Sequence, residues 1–177
     1  MEEIEVKILE IDRTSVERKL REMGGEVSFD GEMSAVFFDF ADRRISRSGG
    51  VLRLRREGLI TLLTHKSPLP SQQAKVMHET QTEVSDFEAM REILLTMGLE
   101  VIKSTRKHRI QYDLQGGHVV IDDYKEELAS IPIFLEIEAP SLDQLHRLIH
   151  RLGYKPEDTN RWNTYDLVRY YLGDQDL

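Results

Sequence analysis

Strand after strand of this chain places apolar residues on one face and charged residues on the other, and that pattern restricts the folds open to it. In EIEVKI, Ile4, Val6 and Ile8 alternate with Glu3, Glu5 and Lys7. In VLRLRRE, Leu52 and Leu54 alternate with Arg53 and Arg55. ITLLTHK ends with Lys66 on the face of Thr64, and ETQTEV sets Glu79, Gln81 and Glu83 on one side. TRKHRIQY groups Lys107, Arg109 and Gln111, and FLEIE holds Glu136 and Glu138 around Ile137. Any one such strand is an ordinary half-solvated strand. The set is different, because solvation does not require Glu, Arg and Lys at alternate positions. The signs are also sorted, with carboxylates toward the chain ends and cations in the middle.

Strands are expected at 2–10, 34–41, 50–57, 59–66, 77–84, 101–114, 117–124 and 133–139. Three segments between them share one grammar: an alternating stretch, a polar stop, a helical-period apolar pattern, then glycine. Capping boxes are expected at Thr14 with Glu17, Ser85 with Glu88, and Ser141 with Gln144. Gly24, Gly98 and Gly153 stand where a left-handed C-cap residue is wanted. A last helix is expected from about Thr164 to Leu172. Ser67–Lys75, with two prolines and no periodicity, reads as a mobile connection. The fold class is α+β with an antiparallel sheet or barrel, one domain over 1–172 and a flexible tail over 173–177.

The balance of 24 basic against 32 acidic residues, a net charge of −8, argues against a nucleic-acid or membrane-surface partner. Cysteine is absent, which excludes disulfides, thiolate metal sites and cysteine nucleophiles. No apolar stretch reaches the length of a membrane span or signal-peptide core, so the expected location is cytoplasmic.

Three amphipathic helices must cover the apolar face of the sheet. If about eight strands curl into a barrel, the helices take the outside and the charged face becomes the lumen. Like charges there need neutralising. A cationic wall calls for a polyanion, and clustered carboxylates call for a hard cation such as Mg²⁺ or Mn²⁺. On this reading, deleting one carboxylate should relieve repulsion.

Glu3-Ile-Glu5-Val-Lys7 resembles the ExExK signature of the CYTH superfamily, the triphosphate tunnel metalloenzymes. The likeness continues through LRLR, THKSP, HETQTEV, the KxRxxY of Lys107, Arg109 and Tyr112, VVID and FLEIE. It implies an eight-stranded antiparallel β-barrel, the triphosphate tunnel, with helices packed outside, and two-metal phosphoryl chemistry. Carried over residue by residue, it makes Glu3, Glu5, Asp122, Glu136 and Glu138 metal ligands. Lys7, Arg53, Arg55, Lys66, Lys107 and Arg109 become triphosphate ligands, with Glu79 and Glu83 in a second tier. Alternation does not decide between Asp122 and Asp123. Lys66 and Lys107 are the catalytic candidates.

The expected activity is metal-dependent hydrolysis of an inorganic or organic triphosphate, with tripolyphosphate, thiamine triphosphate and ATP as candidate substrates. The alternatives are a class IV-type adenylate cyclase and a non-catalytic polyphosphate- or nucleotide-binding module. A homodimer is left open. Other features read more simply. His146 and His150 have zinc-like spacing but belong to a solvent face. Gly49-Gly50 reads as a hairpin turn, and Arg43–Arg47 as a solvated loop. Trp162, Tyr165, Tyr170 and Tyr171 read as helix-packing residues. By the resemblance, Asn163–Leu167 lies near one tunnel mouth.

Overall fold

The computed structural model describes residues 2–70 and 75–173. Its strands are β1 (Glu2–Ile8), β2 (Glu26–Phe40), β3 (Val51–Glu57), β4 (Ile60–Leu69), β5 (Lys75–Val84), β6 (Leu99–Leu114), β7 (Gly117–Tyr124) and β8 (Phe134–Ala139). They close into an antiparallel barrel in the order β1-β5-β4-β3-β2-β6-β7-β8. The helices are α1 (Arg13–Glu22), α2 (Arg44–Arg47), α3 (Phe87–Thr96), α4 (Leu142–Arg151) and α5 (Thr164–Leu172).

Alternation decides which side is core. Ile4, Val6 and Ile8 of β1, Val119 and Ile121 of β7, and Leu135 and Ile137 of β8 point outward. There they pack beneath Val16 and Leu20 of α1 and Leu145, Leu148 and Ile149 of α4. Phe38, Leu54 and Leu99 meet Leu94 of α3, and Tyr124, Leu128 and Phe134 meet Leu167 and Val168 of α5. Except at the barrel mouth, where α5 meets the lumen-side Tyr124 and Phe134, the hydrophobic core is a shell between barrel and helices, and the alternate residues are left to the lumen.

Two of the three expected N-caps are displaced. Asp12, not Thr14, caps α1 by accepting from Ser15 N, while Glu17 pairs with Arg13 and Arg21. Asp86, not Ser85, caps α3 through Ala89 N. A carboxylate is both a good acceptor and a favourable charge at a helix N-terminus, so it displaces the neighbouring hydroxyl. Ser141 caps α4 as expected. Gly24, Gly98 and Gly153 all have positive φ.

β2 begins eight residues earlier than expected, at Glu26. Its first half carries little apolar pattern, and pairing with β6 (Glu26 opposite Asp113, Gly31 opposite Arg109) holds it in the sheet. β4 continues through Leu69 across a segment expected to be a loop; residues 71–74 of that loop lie outside the described residues, as do 174–177 of the tail.

Arg43–Arg47 is largely exposed, as expected, but is a short helix instead of a loop. Asp39, fully buried, accepts from Phe40 N, Ile45 N, Ser46 N and Ser46 Oγ and winds the segment into α2. Gly49-Gly50 is likewise no hairpin but the end of that turn, with Gly49 at φ +76 donating to Ser46 O and Gly50 donating to Ile45 O. A Cβ on Gly50 would come within 3.2 Å of Lys66 O, so the bare backbone lets α2 sit against the barrel mouth. His146 and His150 are exposed on α4, as expected.

Candidate functional site

The barrel encloses a cavity of about 950 Å³ lined from most of its strands. Glu5 and Lys7 reach it from β1, Arg53 and Arg55 from β3, Lys66 from β4, and Glu79 and Gln81 from β5. Lys107 and Arg109 line it from β6, and Glu136 and Glu138 from β8. Period-2 alternation alone sends all of these inward.

Within the lumen the signs interleave instead of separating by strand. Register sets Lys7 opposite Glu136 across the β1–β8 ladder, with Nζ 2.6 Å from Oε1, and Glu5 lies 3.5 Å from the same ammonium. Arg109 joins Asp122 and Glu136, its Nη2 2.6 Å from one and 2.8 Å from the other. Lys107 also donates to Asp122. Lys66 stands opposite Glu79 on β5 at 2.7 Å, and Arg55 is 3.1 Å from Glu57.

These pairings set the ionisation of the lumen. Burial opposes the charge of Lys7, but Glu136 and Glu5 outweigh it and hold its pKa above the usual lysine value. Burial also opposes the charge of Glu136, and Lys7, Arg109 and Lys107 override it, keeping the carboxyl well below its ordinary range. Lys107 goes the other way: burial, then Arg109, push it down to about 8 despite Asp122. Arg55 is pushed down to about 10 by burial and by Arg53 beside it.

Asp122 faces inward and Asp123 does not; the latter pairs with Lys125 at 2.6 Å. Yet Asp122 has no exposed surface and lies beneath Lys107 and Arg109, so it is covered by cations and does not line the cavity. Glu83 is exposed at the end of β5, outside the cavity lining. The side chain of Glu3 lies outside the described residues. Glu5 and Glu138 are directly opposite across β1–β8, and both face the lumen.

The donor set fits a hard divalent cation held by one or two carboxylates, with other positions left to substrate oxygens. Among the described residues no cluster of three or more acidic or histidine side chains forms a complete protein cage.

Two arginine nitrogens stand out. Nε of Arg53 and Nε of Arg55 are buried, and neither has a hydrogen-bond partner among the described residues. Buried donors of this kind are rarely left unsatisfied.

Sequence reading missed Lys103, Thr105 and Tyr124, which also line the cavity. The signal for the first two was present: Lys103 and Thr105 continue the Lys107–Arg109 alternation backward by two steps each. At the mouth, Asn163, Thr164 and Tyr165 open α5 over the lumen, and Tyr124 Oη lies 3.1 Å from Thr164 Oγ1. That is where the resemblance put the Asn163–Leu167 segment. Trp162 and Tyr171 pack against the α5 cluster as expected and Tyr170 touches both rings, whereas Tyr165 is largely exposed. No helix among the described residues is long and apolar enough to cross a membrane.

A family model described as the CYTH domain matches residues 1–161. A Methanocaldococcus jannaschii protein named "Putative adenylate cyclase" is 27% identical over 138 residues, covering 78% of this chain and 77% of its own length. A Vibrio parahaemolyticus structure given the same description superposes with a TM-score of 0.80 at 19% identity, covering 94% of this chain and 97% of that one. A Hippeastrum protein described as having a dominant triphosphatase activity gives a TM-score of 0.68 at 15% identity, over 96% and 95% of the two chains. At these identities the two structures show a shared fold.

Proposed function

Because the chain belongs to the CYTH domain family, we propose that it binds a metal-chelated triphosphate in the barrel lumen and hydrolyses it, releasing inorganic phosphate. The observation that carries this reading is the pair of buried, unpartnered Nε donors on Arg53 and Arg55 in the cavity wall. Phosphate oxygens supply the missing acceptors, and the planar guanidinium fork suits them.

Glu5 and Glu138, with Glu136 one step along β8, are the residues that would hold Mg²⁺ or Mn²⁺. When bound, such a cation neutralises phosphate charge and orients the reacting oxygens. Arg53, Arg55 and Arg109 grip the chain of phosphates, and Lys7, Lys66 and Lys107 add point charges. Lys66 and Lys107 are both ion-paired, which suits them to charge neutralisation better than to proton abstraction. Phosphoryl transfer asks mainly for positioning and electrostatics, so this division of labour suffices. Asp122 acts as the buried counter-ion that positions Lys107 and Arg109.

Adenylate cyclisation is the second reading, favoured by the name of the archaeal relative and by the ring of Tyr165 at the mouth, where a base has a surface to stack on. There the ribose 3′-hydroxyl attacks the α-phosphorus and pyrophosphate leaves. Without turnover, the same lumen would serve as a polyphosphate-binding module. A cytoplasmic location accords with any of these substrates.

Tripolyphosphate, thiamine triphosphate and ATP, each with Mg²⁺ and with Mn²⁺, separate the readings when assayed for phosphate and for cyclic AMP. Phosphate release without cyclic AMP supports hydrolysis, and cyclic AMP with pyrophosphate supports the cyclase. Binding without either product supports the module. A protein whose melting temperature ignores all three substrates, with or without metal, overturns the tunnel reading, since a ligand at a hundredfold excess over Kd stabilises by about 2.7 kcal/mol.

A further inference from the structure

Lys103 faces the lumen from β6, half-buried, four residues before Lys107. The other lumenal lysines each have a carboxylate beside them: Lys7 has Glu136, Lys66 has Glu79 and Lys107 has Asp122. Lys103 has none among the described residues, and burial alone holds its pKa down to about 8. Register places it opposite Phe37 of β2, and Phe37 opposite Arg53 of β3. The row Arg53–Phe37–Lys103 thus crosses three adjacent strands, and all three residues line the cavity. Arg53 shares the condition of Lys103, since its Nε is buried without an acceptor and it makes no ion pair with a described residue.

Adjacent strands are about 4.8 Å apart, so the backbones bearing these two cations are separated by about 10 Å. Long side chains close that gap around a single anionic group. The next row toward Lys107 is Arg55–Ala35–Thr105, with small side chains on β2 and β6. These small side chains leave the space between the rows open. A neutral sugar or base at this wall would leave two partly desolvated cations uncompensated, which is costly.

We propose that Lys103, together with Arg53 at the end of the triphosphate site, forms an anion subsite beyond the third phosphoryl group, and that it takes a fourth. Linear phosphate chains of four or more units are then the preferred substrate class. The inference rests on the lumen being a triphosphate site, and it names how that site continues along the β2–β3–β6 wall.

The test compares tripolyphosphate, tetrapolyphosphate and ATP, each with Mg²⁺, by calorimetry and by phosphate release, in the unaltered protein, Lys103→Gln and Lys103→Arg. The expected result is binding of tetrapolyphosphate about tenfold or more tighter than tripolyphosphate, the size of one charge-assisted contact. Lys103→Gln should erase that preference while changing tripolyphosphate affinity little, and Lys103→Arg should restore it. The ligand-free melting temperature of Lys103→Gln should hold or rise, because an unpaired cation leaves a half-buried site. Equal affinity for both chains in the unaltered protein, or equal weakening of both by Lys103→Gln, overturns the subsite but leaves the triphosphate site standing. Tight binding of ATP with neither inorganic chain bound overturns it in favour of an organic occupant. Failure of all three ligands to bind overturns the triphosphate site and the subsite together.

Discussion

Arg109 holds Asp122 through two nitrogens, Nε at 2.8 Å and Nη2 at 2.6 Å, on a carboxylate with no exposed surface. Lys107 shares the same carboxylate. A buried ion pair adds little over an apolar replacement, but removing one partner strands the other charges.

Asp122→Asn should therefore destabilise the ligand-free protein by about 3–5 kcal/mol, the usual cost of breaking a buried pair. Glu136 stays beside Arg109, which favours the lower end. Guanidinium unfolding checks this. A metal ligand would behave otherwise: its loss would abolish the metal-induced shift in melting temperature and leave metal-free stability unchanged.

Glu136→Gln should also destabilise, against the expectation that removing a carboxylate relieves repulsion. Glu136 is held between Lys7 and Arg109, so its loss uncovers two cations instead of separating two anions. The sign with pH follows from its lowered pKa. Because the folded value lies below the unfolded one, about 4.3, the stabilisation is complete above that range and fades as pH falls through the folded pKa. Unfolding free energy measured from neutral into acid should decline less steeply in Glu136→Gln than in the unaltered protein.

Arg53→Ala and Arg55→Ala should each weaken tripolyphosphate binding by about 1.5–3 kcal/mol, with much smaller effects on monophosphate. Removing Arg55 should not harm the ligand-free fold, since burial and the adjacent Arg53 already disfavour its charge. Calorimetry with the two anions, alongside thermal melts, gives both quantities. Equal losses for both anions would indicate a non-specific basic surface.

Tripolyphosphate binding should weaken as pH rises past about 8, where Lys107 loses its proton. Arginine at this position stays charged, so Lys107→Arg should flatten that decline. Initial rates carry a second reading. If Lys107 is a charged ligand, turnover falls over the same range; a general base at this position would make it rise.

Neither the displaced caps nor the early start of β2 is fixed by a local pattern alone. Thr14 and Ser85 satisfy a capping box on paper, but Asp12 and Asp86 stand close by with a charge that the helix end favours. Glu26–Ser34 has too little apolar contrast to read as a strand, and only pairing with β6 makes it one. Lys103, by contrast, was legible, because it extends an alternation already visible at Lys107 and Arg109.

The sequence by itself determined which residues face the lumen. Side-chain alternation is a local property of the extended backbone, so Glu5, Lys7, Arg53, Arg55, Lys66, Arg109, Glu136 and Glu138 could be sorted without knowing any strand's neighbour. It also carried the family likeness and the helix exits at Gly24, Gly98 and Gly153. Only the tertiary structure decided which charge meets which. Closing the barrel brings β1 beside β8, from opposite ends of the chain, and so sets Lys7 against Glu136 and Glu5 against Glu138. It also covers Asp122 with two cations and leaves Arg53 and Lys103 flanking Phe37. Coulomb energy depends on separation through space and on burial, and neither is fixed by position along the chain.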